Sequence, residues 1–297
     1  MRLKDALKFI ISLLLMFFLF IVQVSIFINF KLLNSNFYKE TIEKSDYFTL
    51  LYEEVDKTFN NLSIMTAIPK DMLLGSVNQD FIKEQTFKNL DNTSQYMKYK
   101  SNLLAARVDI QVIEQSINKN LEDYAKEKNI EINNAVKKQL KEVAINTSDR
   151  INDYTNLFNL GAVAKFGEFQ KFRKICYFLG NYSLLYIISS VILMLILRLL
   201  NRRRPWNTFM WVGSSFIPAG LMTLIPATIA LVYKLPYRIS VATPYIKEGL
   251  TKFMLEYAYF LLFIGLLFIA LGITLLAMYI CLSNREVISN KVDVIQE

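Results

Sequence analysis

Glu256 is the residue in this sequence best placed for chemistry. It is a carboxylate a few positions inside the apolar run 253–281. An acid held in hydrocarbon can load and release a proton or a small cation. Lys252 stands one helical turn before it, and that spacing suits an ion pair at the boundary of the run better than an intramembrane acid. Nothing else assembles a reactive set. The chain has no histidine, hence no imidazole to serve as acid, base or metal ligand near neutral pH. Its two cysteines, Cys176 and Cys281, fall near opposite faces of the membrane layout derived below and are expected to stay unpaired. The acids of residues 31–174 alternate with lysines in the manner of a solvated helix face. No catalytic residue, cofactor or metal is expected, and the protein is read as no enzyme.

Small residues make a second pattern. Gly213, Gly220 and Ala227 recur every seven positions in one apolar run, and Ala258, Gly265 and Gly272 do so in the next. Small side chains let helix backbones approach closely, which is how helices associate in lipid. The two stripes are expected to face each other, with a face toward another subunit as the alternative. Pro218 and Pro226, beside Gly220, each leave a carbonyl without its helical donor and so mark bends in that run, static kinks before gating hinges. Gly161 and Gly167 bracket the other expected hinge. Phe166, Phe169 and Phe172 read as anchors at a membrane surface.

These residues need apolar helices to carry them, and the chain supplies four. Phe9–Phe30 has no charge over 22 residues, enough to cross a hydrocarbon core of about 30 Å. It is longer than the apolar core of a signal peptide, and an uncleaved anchor is expected. Residues 175–199, 207–233 and 253–281 supply the other three spans. Between the second and third lies a short loop, 200–206, with Arg202, Arg203 and Arg204 in succession. Arginine costs roughly 2.5–3.5 kcal/mol at the centre of a membrane helix, so this cluster stays in water.

Residues 31–174 are the one large polar segment. A helix is expected over 37–64, with Tyr47, Leu50, Leu51, Val55 and Phe59 on one face. A break follows at Ile68–Asp71, then a second helix near 79–99. Further helices are expected over 109–128 and 134–158, joined by a short turn at Asn129–Asn133 into an antiparallel pair. No alternating, strand-like run competes, so the fold is expected to be all-α: a four-helix transmembrane bundle and a helical domain between its first two spans. The segment 234–252 reads as a second, smaller loop holding a turn and a short surface helix, and 282–297 as a polar tail.

The formal net charge is +8. Residues 31–174 are nearly balanced, so the surplus sits beside the apolar runs and signals topology, not nucleic-acid binding. The positive-inside counts on the two sides are close. Two features decide: residues 1–8 are basic ahead of the first span, and the densest arginine cluster lies in the shortest loop. Both termini are therefore expected in the cytoplasm, with 31–174 and 234–252 outside.

The rhythm Ile68-Pro69 ahead of Leu73, then Ile113-Glu114, Ile117, Asn120-Leu121, Tyr124 and Asn129-Ile130-Glu131-Ile132, resembles the outer domain of four-span membrane proteins of Gram-positive bacteria. That resemblance implies a bacterial cell-membrane protein and carries over no function. The order of spans alone is similar to permeases of the cell-division and lipoprotein-export ABC systems, though only eight residues precede the first span here. Two functions follow as expectations. One is a non-enzymatic multi-pass protein of the cell membrane whose extracytoplasmic domain binds a partner, an envelope component or a signal. The other is a permease-like or accessory subunit served by a separate ATPase. The partners expected are the lipid bilayer and a protein partner or a second copy, with no nucleic acid.

Overall fold

The computed structural model describes residues 3–66, 69–70, 78–102, 115, 118–120, 122–123, 126, 134–157, 164–241 and 243–296. All regular structure among them is helical. In chain order the long α-helices are α1 (Leu3–Phe27), α2 (Ser35–Glu43), α3 (Tyr47–Thr66), α4 (Gln79–Met97), α5 (Asn134–Thr155), α6 (Gly167–Asn181), α7 (Ser183–Leu200), α8 (Asn207–Val232) and α9 (Pro244–Gln296). A π-helical stretch, Ile28–Leu32, ends the first, and a 3-10 turn, Leu235–Arg238, follows α8. The helix expected over 109–128 lies largely outside the described residues. The turn 129–133, Gly161 and half of the break at 68–71 do too.

Four helical stretches are long and apolar enough to cross a membrane: Lys4–Leu32, Ser183–Leu200, Asn207–Val232 and Pro244–Arg285. The chain divides into two compact units. One comprises residues 1–32, 175–238 and 253–297; the other comprises 33–174 and 239–252.

The first unit holds the apolar helices. Ile11, Leu15, Leu19 and Val22 recur at helical spacing on α1 and are buried in a cluster with Tyr186, Leu197, Val212, Ala219, Ile264 and Phe268. Hydrogen bonds between helices fix the directions. Ser12 meets Ser215 and Gln23 meets Thr223, so α1 and α8 run parallel. Gly213 lies against Gly272 and Gly220 against Gly265, so α8 and α9 run antiparallel. The geometry of α1 and α8 gives a further test. Ser12 Oγ and Ser215 Oγ are 2.7 Å apart, within the reach of a cysteine pair. The Ser12→Cys/Ser215→Cys variant, oxidised in membranes, is expected to form an internal disulfide seen as faster migration on a non-reducing gel. Each single variant should stay unshifted.

The second unit is built on α3. Tyr47, Leu51, Val55 and Phe59 follow at four-residue spacing and are all buried, as the periodicity requires of an amphipathic helix. The expected single helix 37–64 is two. Ser45 Oγ accepts from the Tyr47 amide and its hydroxyl donates to Ile42 O. The serine thus serves the backbone at a break between α2 and α3, an alternative to continuing the helix. Helix α4 begins where expected: Asn78 caps it by accepting from the Phe81 amide at 2.8 Å. Asn89 on α4 donates to both the carbonyl and the hydroxyl of Thr155 on α5.

Two further boundaries differ from the sequence reading. The span drawn from 175 is interrupted: the backbone leaves helical geometry at Tyr182 (φ −96°, ψ 19°), and the apolar stretch that follows is Ser183–Leu200. The short surface helix expected within 234–252 does not stop. It is the start of α9, which continues through 53 residues. Gly249 and Thr251 stand just before that boundary, and the helix runs through both.

Candidate functional site

Within the apolar unit, polar side chains gather between helices. Gln23 is 0% exposed, and its Oε1 accepts from the Thr223 hydroxyl at 2.6 Å. Its Nε2 has no partner among the described residues. The Ser12 and Ser215 hydroxyls share a bond and reach the carbonyls of Trp211 and Ser12. Nearer the other end of α1, Ser25 donates to Leu179 O and Asn29 to Gly180 O, tying α1 to α6. In hydrocarbon such bonds hold helices in register, each contributing about 0.6–2 kcal/mol. None of these residues carries a charge, and their bonds run from helix to helix.

Gln23 escapes the sequence reading because Phe9–Phe30 counts there as one uncharged run. A polar amide in the middle of a span is itself the available signal.

Glu256 finds a different partner from the one its spacing suggests. Its carboxylate pairs with Lys31 at 3.4 Å, while Lys252 pairs with Glu248 at 3.5 Å. Lys31 lies in the π-helical stretch Ile28–Leu32 and also over the Phe260 ring, 5.2 Å from its centroid. Lys31 thus reaches α9 from the π-helical stretch. The Glu256 side chain is half exposed. A pair this open is worth under about 1 kcal/mol. Glu256→Gln, Lys31→Gln and the double variant should therefore lie within about 1 kcal/mol of one another in thermal unfolding in detergent. A loss several-fold larger in Glu256→Gln alone would mean the acid does more than pair.

The small-residue stripes meet at two levels. A Cβ added at Gly213 would lie 2.9 Å from Gly272 O, and one at Gly220 would lie 2.6 Å from Gly265 O. Ala227 and Ala258 are buried at the far end of the same helices. Pro218 and Pro226 both sit inside the uninterrupted α8. Gly167 begins α6, and a methyl added there would meet nothing within 4 Å. Arg202, Arg203 and Arg204 are exposed in the turn between α7 and α8. Cys176 and Cys281 are free thiols, the first buried and the second exposed. Among the described residues no three His, Cys, Asp or Glu side chains could jointly hold a metal ion.

In the second unit, aromatic rings converge on Tyr47. Its ring stands edge-on to Tyr245 at 5.6 Å, Tyr245 meets Tyr154 at 6.2 Å, and the Tyr154 and Thr58 hydroxyls bond at 2.5 Å. Burial, and after it the neighbouring Tyr245 and Tyr52, pushes the Tyr47 phenol well above the ordinary tyrosine range. Through Tyr245 and Gly249, residues 239–252 are part of this core.

No protein-family model, curated protein or solved structure matches the chain.

Proposed function

We propose that the chain is a non-enzymatic, multi-pass protein of the bacterial cell membrane, with both termini in the cytoplasm and a helical extracytoplasmic domain that binds a partner, an envelope component or a signal. One observation carries the layout. Residues 33–174 and 239–252 form a single compact unit, although two apolar helices separate them in the chain. Segments that fold together share one side of a membrane. The exposed arginine turn is one span away from each, which supports the opposite side for it, and its charge favours the cytoplasm. The Ser12–Ser215, Gln23–Thr223, Ser25–Leu179 and Asn29–Gly180 bonds hold helices together, which supports an anchoring role in preference to a transport path.

Impermeant maleimide applied to intact cells tests the orientation. In a Cys281→Ser background, Lys88→Cys is expected to label at once and Arg203→Cys only after permeabilisation. The reverse pattern would overturn the layout. An impermeant crosslinker on cells making the full chain then tests the role. Capture of an outer-surface component is expected. Stoichiometric co-purification with an ATPase instead would establish the permease-like alternative.

A further inference from the structure

Arg173 is a guanidinium taken out of water without a counter-charge among the described residues. It is 5% exposed, and no carboxylate among the described residues pairs with it. Two rings sandwich it: its central carbon lies 3.6 Å from the Tyr96 centroid and 3.7 Å from that of Tyr99. Stacking covers both faces and leaves only the in-plane N–H groups to bond. Nε uses one, donating to Tyr96 O at 2.9 Å. Nη2 is buried and has no acceptor among the described residues.

Capping α4 accounts for the Nε bond to Tyr96 O and leaves Nη2 unexplained. The end of that helix is already closed by its own backbone. Lys98 N donates to Ser94 O, Lys100 N to Gln95 O and Tyr99 N to Tyr96 O. Tyr99 reaches its position only by adopting a left-handed backbone (φ 55°), a conformation that costs a non-glycine residue about 1–2 kcal/mol. The strain sets the second ring against the guanidinium. Gln170 holds the first, donating from Nε2 to the Tyr96 hydroxyl at 2.9 Å. The surroundings add positive charge. Lys98 and Lys100 flank Tyr99, Lys174 follows Arg173, and none of the three has an ion pair among the described residues. Lys98 is pushed below the usual lysine range by burial and then by the charge of Lys100. A group built this way, rigid, stacked, buried and short of an acceptor, is arranged to receive an anion in the plane of its fork.

We propose that Arg173, with Lys98, Lys100 and Lys174, forms a binding site for a phosphate group, carried by a lipid headgroup or free in solution. Tyr99 is 47% exposed, so this wall of the site faces water. A headgroup is the nearer source, since the candidate span Ser183–Leu200 begins ten residues after Arg173. That arm rests on the membrane reading above; the phosphate chemistry does not.

The test is thermal unfolding of the full chain in a neutral detergent, titrated with phosphatidylglycerol, with phosphatidylcholine, or with inorganic phosphate against chloride at equal ionic strength. Stabilisation by phosphatidylglycerol alone assigns a lipid headgroup. Stabilisation by inorganic phosphate as well assigns phosphate from any source. Arg173→Gln is expected to weaken the response at least about tenfold, as loss of a charged fork does. Arg173→Lys should recover little of it. Because Arg173 is buried, Lys98→Gln/Lys100→Gln serves as the variant that keeps the fold, with about a threefold weaker response. A wild type that ignores both phosphatidylglycerol and phosphate, or an unchanged response in these variants, overturns the site. A lipid response with the maleimide pattern reversed would leave the site standing and overturn only the orientation.

Discussion

Gly220→Ala is expected to destabilise the bundle, and Gly220→Leu to prevent it from forming. Alanine is the better helix former by about 1 kcal/mol, so propensity alone predicts a gain. Packing opposes it. The new methyl would stand 2.6 Å from Gly265 O and 2.8 Å from Ile269 Cγ1. The oxygen belongs to a helix backbone and cannot turn aside, so α8 and α9 must move apart. Overpacking of this kind costs about 1–3 kcal/mol, which exceeds the propensity gain. Leucine cannot fit at all. Thermal unfolding and size-exclusion profiles in detergent should show a lower midpoint for alanine and loss of the monodisperse peak for leucine. Gly265→Ala should behave as Gly220→Ala does, because its methyl would meet Gly220 O at 2.9 Å and Leu224 N at 3.0 Å. Gly167→Ala is the control: with open space around it, only the propensity gain remains. A monodisperse Gly220→Leu protein of wild-type stability would mean these two helices do not pack in the register described.

What the sequence disclosed follows the range over which each signal acts. Hydrocarbon length and the absence of charge are properties of a single run, so all four apolar helices were legible, as was α8 almost to the residue. Four-residue spacing is equally local, and the buried face of α3 could be read from Tyr47, Leu51, Val55 and Phe59. Partners chosen across the chain were not legible. Lys252 is one helical turn from Glu256 in sequence, yet the acid pairs with Lys31, 225 positions away, in the π-helical stretch that follows α1. Arg173 is, in the sequence, one more basic residue ahead of an apolar run, and nothing local shows that Tyr96 and Tyr99 will close on it. Residues 239–252 looked like a separate loop because aromatic contacts such as Tyr47 with Tyr245 leave no mark in either neighbourhood.

Tyr47 should separate packing from polarity in the second unit. The ring is fully buried, touching Phe48, Tyr245 and Gly249, while its hydroxyl has no partner among the described residues. Removing the ring in Tyr47→Ala leaves a cavity at the junction of α3 and α9 and is expected to cost about 3–5 kcal/mol, enough to unfold a marginal domain. Removing only the hydroxyl in Tyr47→Phe deletes an unpaired buried polar atom and should stabilise by about 1 kcal/mol. The two variants also differ in pH dependence. The folded state holds the Tyr47 proton more tightly than the unfolded chain does. Below about pH 10 both states are protonated and the residue adds no slope. Above it the unfolded chain ionises first, so stability falls by up to about 1.4 kcal/mol per pH unit until the buried phenol itself titrates. Tyr52, which is also raised by burial and then by Asp80, contributes in the same direction. Tyr47→Phe should therefore retain the fold, unfold later than wild type at about pH 8, and lose part of the alkaline decline between about pH 10 and about pH 11.5. If Tyr47→Phe proved less stable than wild type with an unchanged alkaline limb, the hydroxyl would have to be bonded, and the junction between residues 239–252 and α3 would be built on a polar contact instead of on the ring.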